Sequence, residues 1–202
     1  LDIDHFRDIW FKTSFLLDSE QTNMDECKSR FLNYKNQKLK YKFPNSFTGK
    51  IKKGSYKKNI IAAVIREKGI NSEREMAYML HLSGFEVKDV HMTDLVSGKE
   101  NLENVNMVVF PGGFSNSDVL GSAKGWAGAF KYNEKAKKAI NQFYSRSNTL
   151  SLGVCNGCQL MMELNLIDKK LNGNHPKMEH NNSKKFECTF SGIDILESNS
   201  VM

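Results

Sequence analysis

The chain lacks the long apolar stretches that mark membrane and secreted proteins. No apolar run of about 18 residues occurs, and the first residues do not pass from a basic into an apolar segment. We therefore expect a cytoplasmic protein that does not bind membranes. Cysteine is scarce as well, with four in 202 residues. Because a chain of this length can bury a core without cross-links, we predict no disulfide framework.

Acidic residues are missing from one stretch of the chain. Residues 28–58 hold eleven Lys or Arg and no Asp or Glu, whereas sixteen residues of each sign follow from position 59. The net charge of +6 therefore comes from this stretch. One hypothesis is a nucleic-acid-binding module that uses residues 28–58. A solvated linker, or a surface that docks on an acidic neighbour, is favoured, because Gly49 to Lys58 offers little to pack. We expect no nucleic-acid partner.

The sequence divides into two regions. Residues 1–58 are irregular apart from a helix predicted over 4–18, and we interpret them as a joining segment. From Asn59, short apolar runs alternate with amphipathic helical patterns. This alternation predicts a parallel α/β sheet with helices on both faces. Strands are predicted over 60–65, 86–91, 106–110 and 149–154.

Local signals predict where two helices begin and end. Ser72 and Glu75 form the pattern of a capping box, and Gly84 follows the helix as a stop signal. Asn133 can cap a second helix. Its predicted buried face consists of Ala136, Ala139, Ile140 and Phe143.

The strand predicted over 149–154 leads straight into a cysteine. Cys155 follows Gly153 and Val154, and a helical pattern begins at Asn156. A nucleophile at such a strand-to-helix turn is exposed and lies beside backbone N–H groups that have no partner within the helix. Those donors and the helix dipole favour a thiolate. The pattern predicts acyl chemistry at Cys155.

A second glycine loop is predicted at the same edge of the sheet. Gly112 and Gly113 follow the strand over 106–110, and parallel strands bring their carboxyl ends together. Backbone N–H groups of Gly113 and Asn156 could then form an oxyanion hole for an amide substrate. Cys155 and Cys158 also form a C-x-x-C pair, for which redox and zinc sites are alternatives. We interpret Cys158 instead as a small buried residue, and we expect no metal.

These motifs resemble a known family. The segment Gly153-Val-Cys-Asn-Gly-Cys-Gln159 is similar to the nucleophile motif of class I glutamine amidotransferase domains. A narrower resemblance is to the large ATP-dependent synthetases of de novo purine biosynthesis that carry this domain at their C-terminal end. The motifs behind it lie in residues 66–72, 91–98, 114–121 and 125–127. Arg7 to Trp10, with Thr13 and Cys27, resembles the segment that joins the synthetase half to the glutaminase.

The resemblance implies a fold, a function and a set of roles. The fold is a flavodoxin-like parallel sheet over residues 59–202. Cys155 is the nucleophile that takes the acyl group of glutamine, and Gly112, Gly113, Asn156 and Gln159 surround the substrate. The ammonia passes to the synthetase part of the same polypeptide, which forms formylglycinamidine ribonucleotide from formylglycinamide ribonucleotide. ATP and Mg²⁺ belong to that part, and no cofactor is expected on this chain.

Two departures from the family pattern affect the expected activity. Asn116 and Ser117 stand where the family usually has Tyr-Gly, so the turn beside the oxyanion hole is in question. The family's base and orienting acid form a His-x-Glu pair, and Lys177 occupies the acid's place after His175. We therefore interpret His175 as a surface residue. We expect a C-terminally incomplete fragment, inactive alone, with further strands over 186–190 and 193–196. A cysteine hydrolase or chaperone of the DJ-1/PfpI-like group is the alternative within this fold.

Overall fold

The structure is a computed structural model that describes residues 1–33, 42–43, 45–50, 60–167, 175–188, 192–193 and 197. It divides into two compact units, one formed by residues 1–50 with 179–202 and the other by residues 51–178. The joining-segment boundary after residue 58 stays a prediction. No helix in the described part of the chain is long and apolar enough to cross a membrane.

Within the described residues, a sheet of four strands forms the centre of the larger unit. Every neighbouring pair of strands is parallel, and the strand order is β2-β1-β3-β4. This is the start of the flavodoxin-like order, which confirms the predicted fold class. The strands are β1 (Ile61–Arg66), β2 (Glu86–His91), β3 (Met107–Phe110) and β4 (Leu150–Gly153).

Helices cover both faces of the sheet. The larger core packs Phe110 and Val108 of β3 against Trp126, Phe130 and other buried side chains. The smaller core lies on the opposite face, where Val109 and Leu80 are buried. Because β3 is buried on both faces, it has an uninterrupted apolar sequence. The helices are α3 (Glu73–Leu82), α4 (Met92–Ser97), α5 (Lys124–Tyr132), α6 (Glu134–Ser145) and α7 (Asn156–Glu163).

Helix α6 begins as its sequence predicts. The side-chain oxygen of Asn133 accepts hydrogen bonds from the N–H groups of Lys135, at 3.1 Å, and Ala136, at 3.0 Å. These bonds satisfy two of the donors that a helix start leaves without partners. The four residues predicted for its inner face are all buried, which confirms that prediction.

The start of α3 differs from the prediction. Ser72 has a left-handed backbone (φ +66°) and makes no capping bond, so the capping box with Glu75 is wrong. Its hydroxyl instead donates to the Asn71 carbonyl at 2.6 Å. The cause is a distant contact, since the Asn71 N–H is held by the Gly112 carbonyl at 2.8 Å. The predicted stop is confirmed, because Gly84 has φ +94° directly after the helix.

The residues of the smaller unit that the structure describes form two helices, α1 (Ile3–Gln21) and α2 (Met24–Asn33). Asp18 accepts hydrogen bonds from Lys185 and Arg30, and Arg30 also pairs with Glu187. The hydrogen bond from Lys185 is the main reason that the pKa of Asp18 falls to about 2. Cys27 is buried beside this cluster, with 1% of its surface exposed.

Two predictions fall wholly or partly outside the described residues. Of the strands predicted over 186–190 and 193–196, residues 189–190 and 194–196 lie outside, and residues 186–188 have no regular secondary structure. Most of the basic stretch 28–58 also lies outside, namely residues 34–41, 44 and 51–58.

Candidate active site

Cys155 occupies a sharp turn between β4 and α7. Its backbone angles are φ +52° and ψ −113°, and its side chain is exposed. A cysteine held at positive φ is strained, and such strain persists only where the surrounding structure imposes it. The turn therefore has the geometry of a nucleophile elbow, which presents a reactive side chain at the top of a sheet.

The glycines around Cys155 allow the elbow to pack tightly. A Cβ atom at Gly157 would overlap the Phe110 carbonyl oxygen at the end of β3. At Gly153 a Cβ atom would lie 2.6 Å from the sulfur of Met161 and 2.7 Å from the Gly157 carbonyl oxygen. The first turn of α7 can approach the sheet only because both positions lack side chains.

The structure brings the glycine loop after β3 to the elbow. A Cβ atom at Gly112 would lie 3.0 Å from the Cys155 Cβ and 3.8 Å from its sulfur. Gly112 and Cys155 therefore meet at the carboxyl ends of two neighbouring strands, as the parallel sheet predicts.

A second loop, after β1, supports this glycine loop. Ile70 and Gly113 form an isolated antiparallel bridge, in which the Phe114 N–H donates to the Gly69 carbonyl at 2.8 Å. Gly113 has φ +112°, and a Cβ atom there would lie 2.5 Å from the Asn71 nitrogen. Within the described part of the chain, no hydrogen bond uses the N–H groups of Gly113 or Asn156. Both donors are therefore available for an oxyanion.

The side chain of Asn156 makes contacts that the sequence reasoning missed. It is 1% exposed, and its oxygen accepts a hydrogen bond from the Ser115 N–H at 3.1 Å. Its amide nitrogen donates to Gln159 at 2.8 Å and to Asp118 at 3.4 Å. Gln159 thus contacts the elbow through Asn156. The available signal was the polar residue itself, since a buried asparagine must find hydrogen-bond partners.

The turn after the glycine loop is left-handed over three residues. Asn116, Ser117 and Asp118 have φ values of +52°, +58° and +48°. None of them has the conformational freedom of glycine, so each is strained in this region. The turn at Asn116 and Ser117, where the family usually has Tyr-Gly, is therefore strained in this chain.

Cys158 and His175 differ in how far they are exposed to solvent. Cys158 is exposed, so the prediction of a buried residue is wrong. The buried positions of α7 are 156–157 and 160–161, and their helical spacing turns Cys158 outward. His175 is partly exposed, and no cluster of three or more His, Cys, Asp or Glu side chains that could hold a metal occurs among the described residues.

Comparison with known proteins gives a consistent family. Residues 59–202 match the CobB/CobQ-like glutamine amidotransferase domain. A phosphoribosylformylglycinamidine synthase from Dictyostelium discoideum is 40% identical over 204 residues, which is 96% of this chain and 15% of that protein. The probable chloroplastic/mitochondrial phosphoribosylformylglycinamidine synthase of Arabidopsis thaliana is 39% identical over 97% of this chain and 14% of its own length.

The chain therefore spans about one seventh of the length of these curated relatives. Their similarity covers nearly the whole chain, including most of residues 1–58, which precede the family match. Among solved structures, PurLQS from Thermotoga maritima is similar at 27% identity with a TM-score of 0.45 and covers 55% of this chain and 46% of that chain.

Proposed function

Because the chain belongs to the CobB/CobQ-like glutamine amidotransferase domain family, we propose that it is a glutaminase domain with Cys155 as its nucleophile. The observation that carries this proposal is the exposed Cys155 at a left-handed elbow, in contact distance of the Gly112 loop. The family match favours this function over the DJ-1/PfpI-like alternative.

The proposed reaction is the hydrolysis of glutamine to glutamate and ammonia. The Cys155 thiolate attacks the side-chain amide carbon, and the N–H groups of Gly113 and Asn156 stabilise the oxyanion that forms. As the C–N bond breaks, water gives a proton to the leaving nitrogen, so that ammonia is released and the acyl group stays on Cys155 as a thioester. The hydroxide left from that water then attacks the thioester, which releases glutamate and returns the Cys155 sulfur. Gln159 accepts a hydrogen bond from Asn156, and we propose that it borders the site of the acyl group.

The general base is not among these residues. No histidine in the chain is followed two positions later by glutamate, the pair that the resemblance implies. Without a base to remove and return the proton, each half of the reaction is slow. We therefore propose that the chain alone is acylated at Cys155 but does not turn over efficiently.

The larger role that we propose is the ammonia supply of a phosphoribosylformylglycinamidine synthase. Support comes from the named relatives. Their similarity to this chain includes most of residues 1–58, which lie outside the family match. The ammonia would be used in the conversion of formylglycinamide ribonucleotide to formylglycinamidine ribonucleotide, in de novo purine biosynthesis. ATP and Mg²⁺ would bind to the synthetase part, where ATP would supply the activation of the formamide oxygen.

We propose that α1 contacts this synthetase part. The helix has no buried residue, and many of its apolar side chains are strongly exposed, including Ile3 at 79% and Trp10 at 80%. A surface of this kind marks an interaction site.

The test of the glutaminase proposal is covalent labelling by the glutamine analogue 6-diazo-5-oxo-L-norleucine. Mass spectrometry is expected to find one adduct at Cys155, and C155S is expected to remove it. The matched control is C158S, because Cys158 is also exposed and follows Cys155 by three positions, within α7. Labelling that persists in C155S, or that is lost in C158S, would contradict the proposal.

A further inference from the structure

We propose that the side chain of Asn156 is a positioning residue, which holds the oxyanion loop (residues 112–118) in register with the nucleophile. The inference rests on the proposed function, because the loop's role is to present a donor to the oxyanion. It assigns the side chain a task separate from that of the Asn156 backbone N–H.

The contacts join three parts of the site through one buried amide. The Asn156 oxygen accepts from the Ser115 N–H, two residues beyond Gly113. The amide nitrogen donates to Gln159 on the same helix and to Asp118 at the end of the loop. Since Asn156 directly follows Cys155, any shift of the loop relative to the elbow must break one of these bonds.

Asp118 extends the connection to the next helix. Its Oδ1 atom accepts the Ala123 N–H at 2.9 Å as well as the Asn156 amide at 3.4 Å. Ala123 precedes α5 and has φ +57°, which is again unusual for a residue other than glycine. The oxyanion loop is thus fixed at Ser115, in its middle, and at Asp118, its last residue, by hydrogen bonds that converge on Asn156 and Asp118.

The backbone of the loop explains why such a clamp is needed. Three successive non-glycine residues, 116–118, have left-handed conformations. A chain in this state relaxes toward other conformations unless its surroundings hold it. The Ile70–Gly113 bridge and the Asn116 N–H, which donates to the Lys68 carbonyl at 2.8 Å, hold the loop on the side of β1. The Asn156 side chain holds it on the side of the elbow, so that without this side chain Gly113 is expected to shift relative to Cys155. Removing the clamp is therefore expected to reduce oxyanion stabilisation without removing the nucleophile.

The test variant is N156L, whose side chain has nearly the shape of asparagine and no polar atom. The control is N106L, because the Asn106 oxygen also accepts a backbone N–H, that of Ile61, at 3.2 Å, just before β3 and at the opposite end of the sheet. Each variant of the full chain is labelled with 6-diazo-5-oxo-L-norleucine and, separately, with iodoacetamide. With the analogue, the ketone oxygen occupies the oxyanion hole while the thiolate displaces N2 from the diazo carbon, which has taken a proton from water. Iodoacetamide alkylates the thiolate by loss of iodide and does not need an oxyanion hole.

The proposal expects N156L to lower the labelling rate with the glutamine analogue at least about tenfold, while iodoacetamide labelling changes less than about twofold. N106L is expected to leave the ratio of the two rates unchanged. Equal analogue labelling of N156L and the unaltered chain would overturn the proposal, as would an equal loss with both reagents. If the unaltered chain is not labelled by the analogue at all, the proposed function fails instead.

A second variant keeps the test decisive if N156L does not fold. N156D retains an acceptor for the Ser115 N–H, but it loses the donor to Gln159 and Asp118 and places a carboxylate beside that of Asp118. Its rate ratio is therefore expected to fall at least about threefold, while hydrogen exchange of the Ser115 N–H stays slower than in N156L. A rate ratio in N156D equal to that of the unaltered chain would overturn the proposal.

Discussion

At Gly157 a single methyl group decides whether α7 can pack against the end of β3. The G157A substitution would place Cβ onto the Phe110 carbonyl oxygen and 2.8 Å from the Phe110 Cβ, both in the rigid centre of the sheet. We expect the free energy of unfolding to fall by about 3 kcal/mol or more, measured by urea denaturation.

The matched control for this prediction is G128A. Gly128 lies within α5, and a Cβ atom there meets only the Tyr132 ring, at 3.8 Å. Alanine in an open helical position is expected to raise stability by about 0.5–1 kcal/mol. Equal effects of the two substitutions would show that the contact with Phe110 does not limit the elbow.

At the scale of single residues, the sequence predicted the position of a side chain where the residues that surround it are its neighbours in the chain. Cys155 could be predicted because the strand, the glycines and the helix that position it are adjacent in the chain. The role of the Asn156 side chain could not, because it depends on the path of residues 115–118. Three residues of that path are left-handed, and without a glycine the sequence does not indicate that conformation.

At the scale of the helix, the cap of α6 gives a direct stability test. N133A removes the oxygen that accepts from Lys135 and Ala136. We expect a loss of about 1 kcal/mol in the free energy of unfolding. N133D keeps an acceptor and adds a negative charge at the helix start, so it is expected to retain the stability. An N133A protein as stable as the unaltered chain would contradict this account.

The contrast between Asn133 and Ser72 shows which helix ends a sequence can predict. The cap at Asn133 uses only residues within three positions, so the motif alone determines it. The start of α3 is set by the Asn71–Gly112 hydrogen bond, which joins two loops that are far apart in the chain. A capping pattern predicts structure only where no such tertiary contact competes.

The ionic cluster that connects α1, α2 and residues 185–187 predicts a dependence on pH. The pKa of Asp18 is about 2 in the folded protein, below its ordinary value of 3.8, chiefly because Lys185 donates to it. Its contribution is therefore complete above about pH 4 and is lost as the pH falls toward 2. D18N is expected to be less stable than the unaltered chain at pH 6, and this difference should vanish near pH 2. A difference that is constant across this range in urea denaturation would exclude the cluster as its source.

For the whole molecule, the two units differ in what they leave exposed. The larger unit buries a core on each face of its sheet, whereas α1 buries none of its residues. The sequence predicted the sheet because alternating strands and helices have a strong periodic signal. It predicted a joining segment for residues 1–58. It did not predict the cluster of Asp18, Arg30 and Lys185, because Lys185 is more than 150 positions from the other two residues and such a contact produces no periodic pattern in the sequence.

The proposed partner makes the exposed face of α1 testable. W10D places a charge on a side chain that is 80% exposed, so the isolated chain should keep its stability within about 0.5 kcal/mol. If α1 docks on the synthetase part, burying that charge should weaken binding to the synthetase part of the Dictyostelium discoideum relative at least about tenfold in calorimetry. Y132D is the control, because Tyr132 is 87% exposed but lies in the larger unit. Unchanged binding by W10D would exclude α1 as the docking surface, because a charge is costly only where the complex buries it. A loss of binding affinity with Y132D equal to that with W10D would exclude α1 as well.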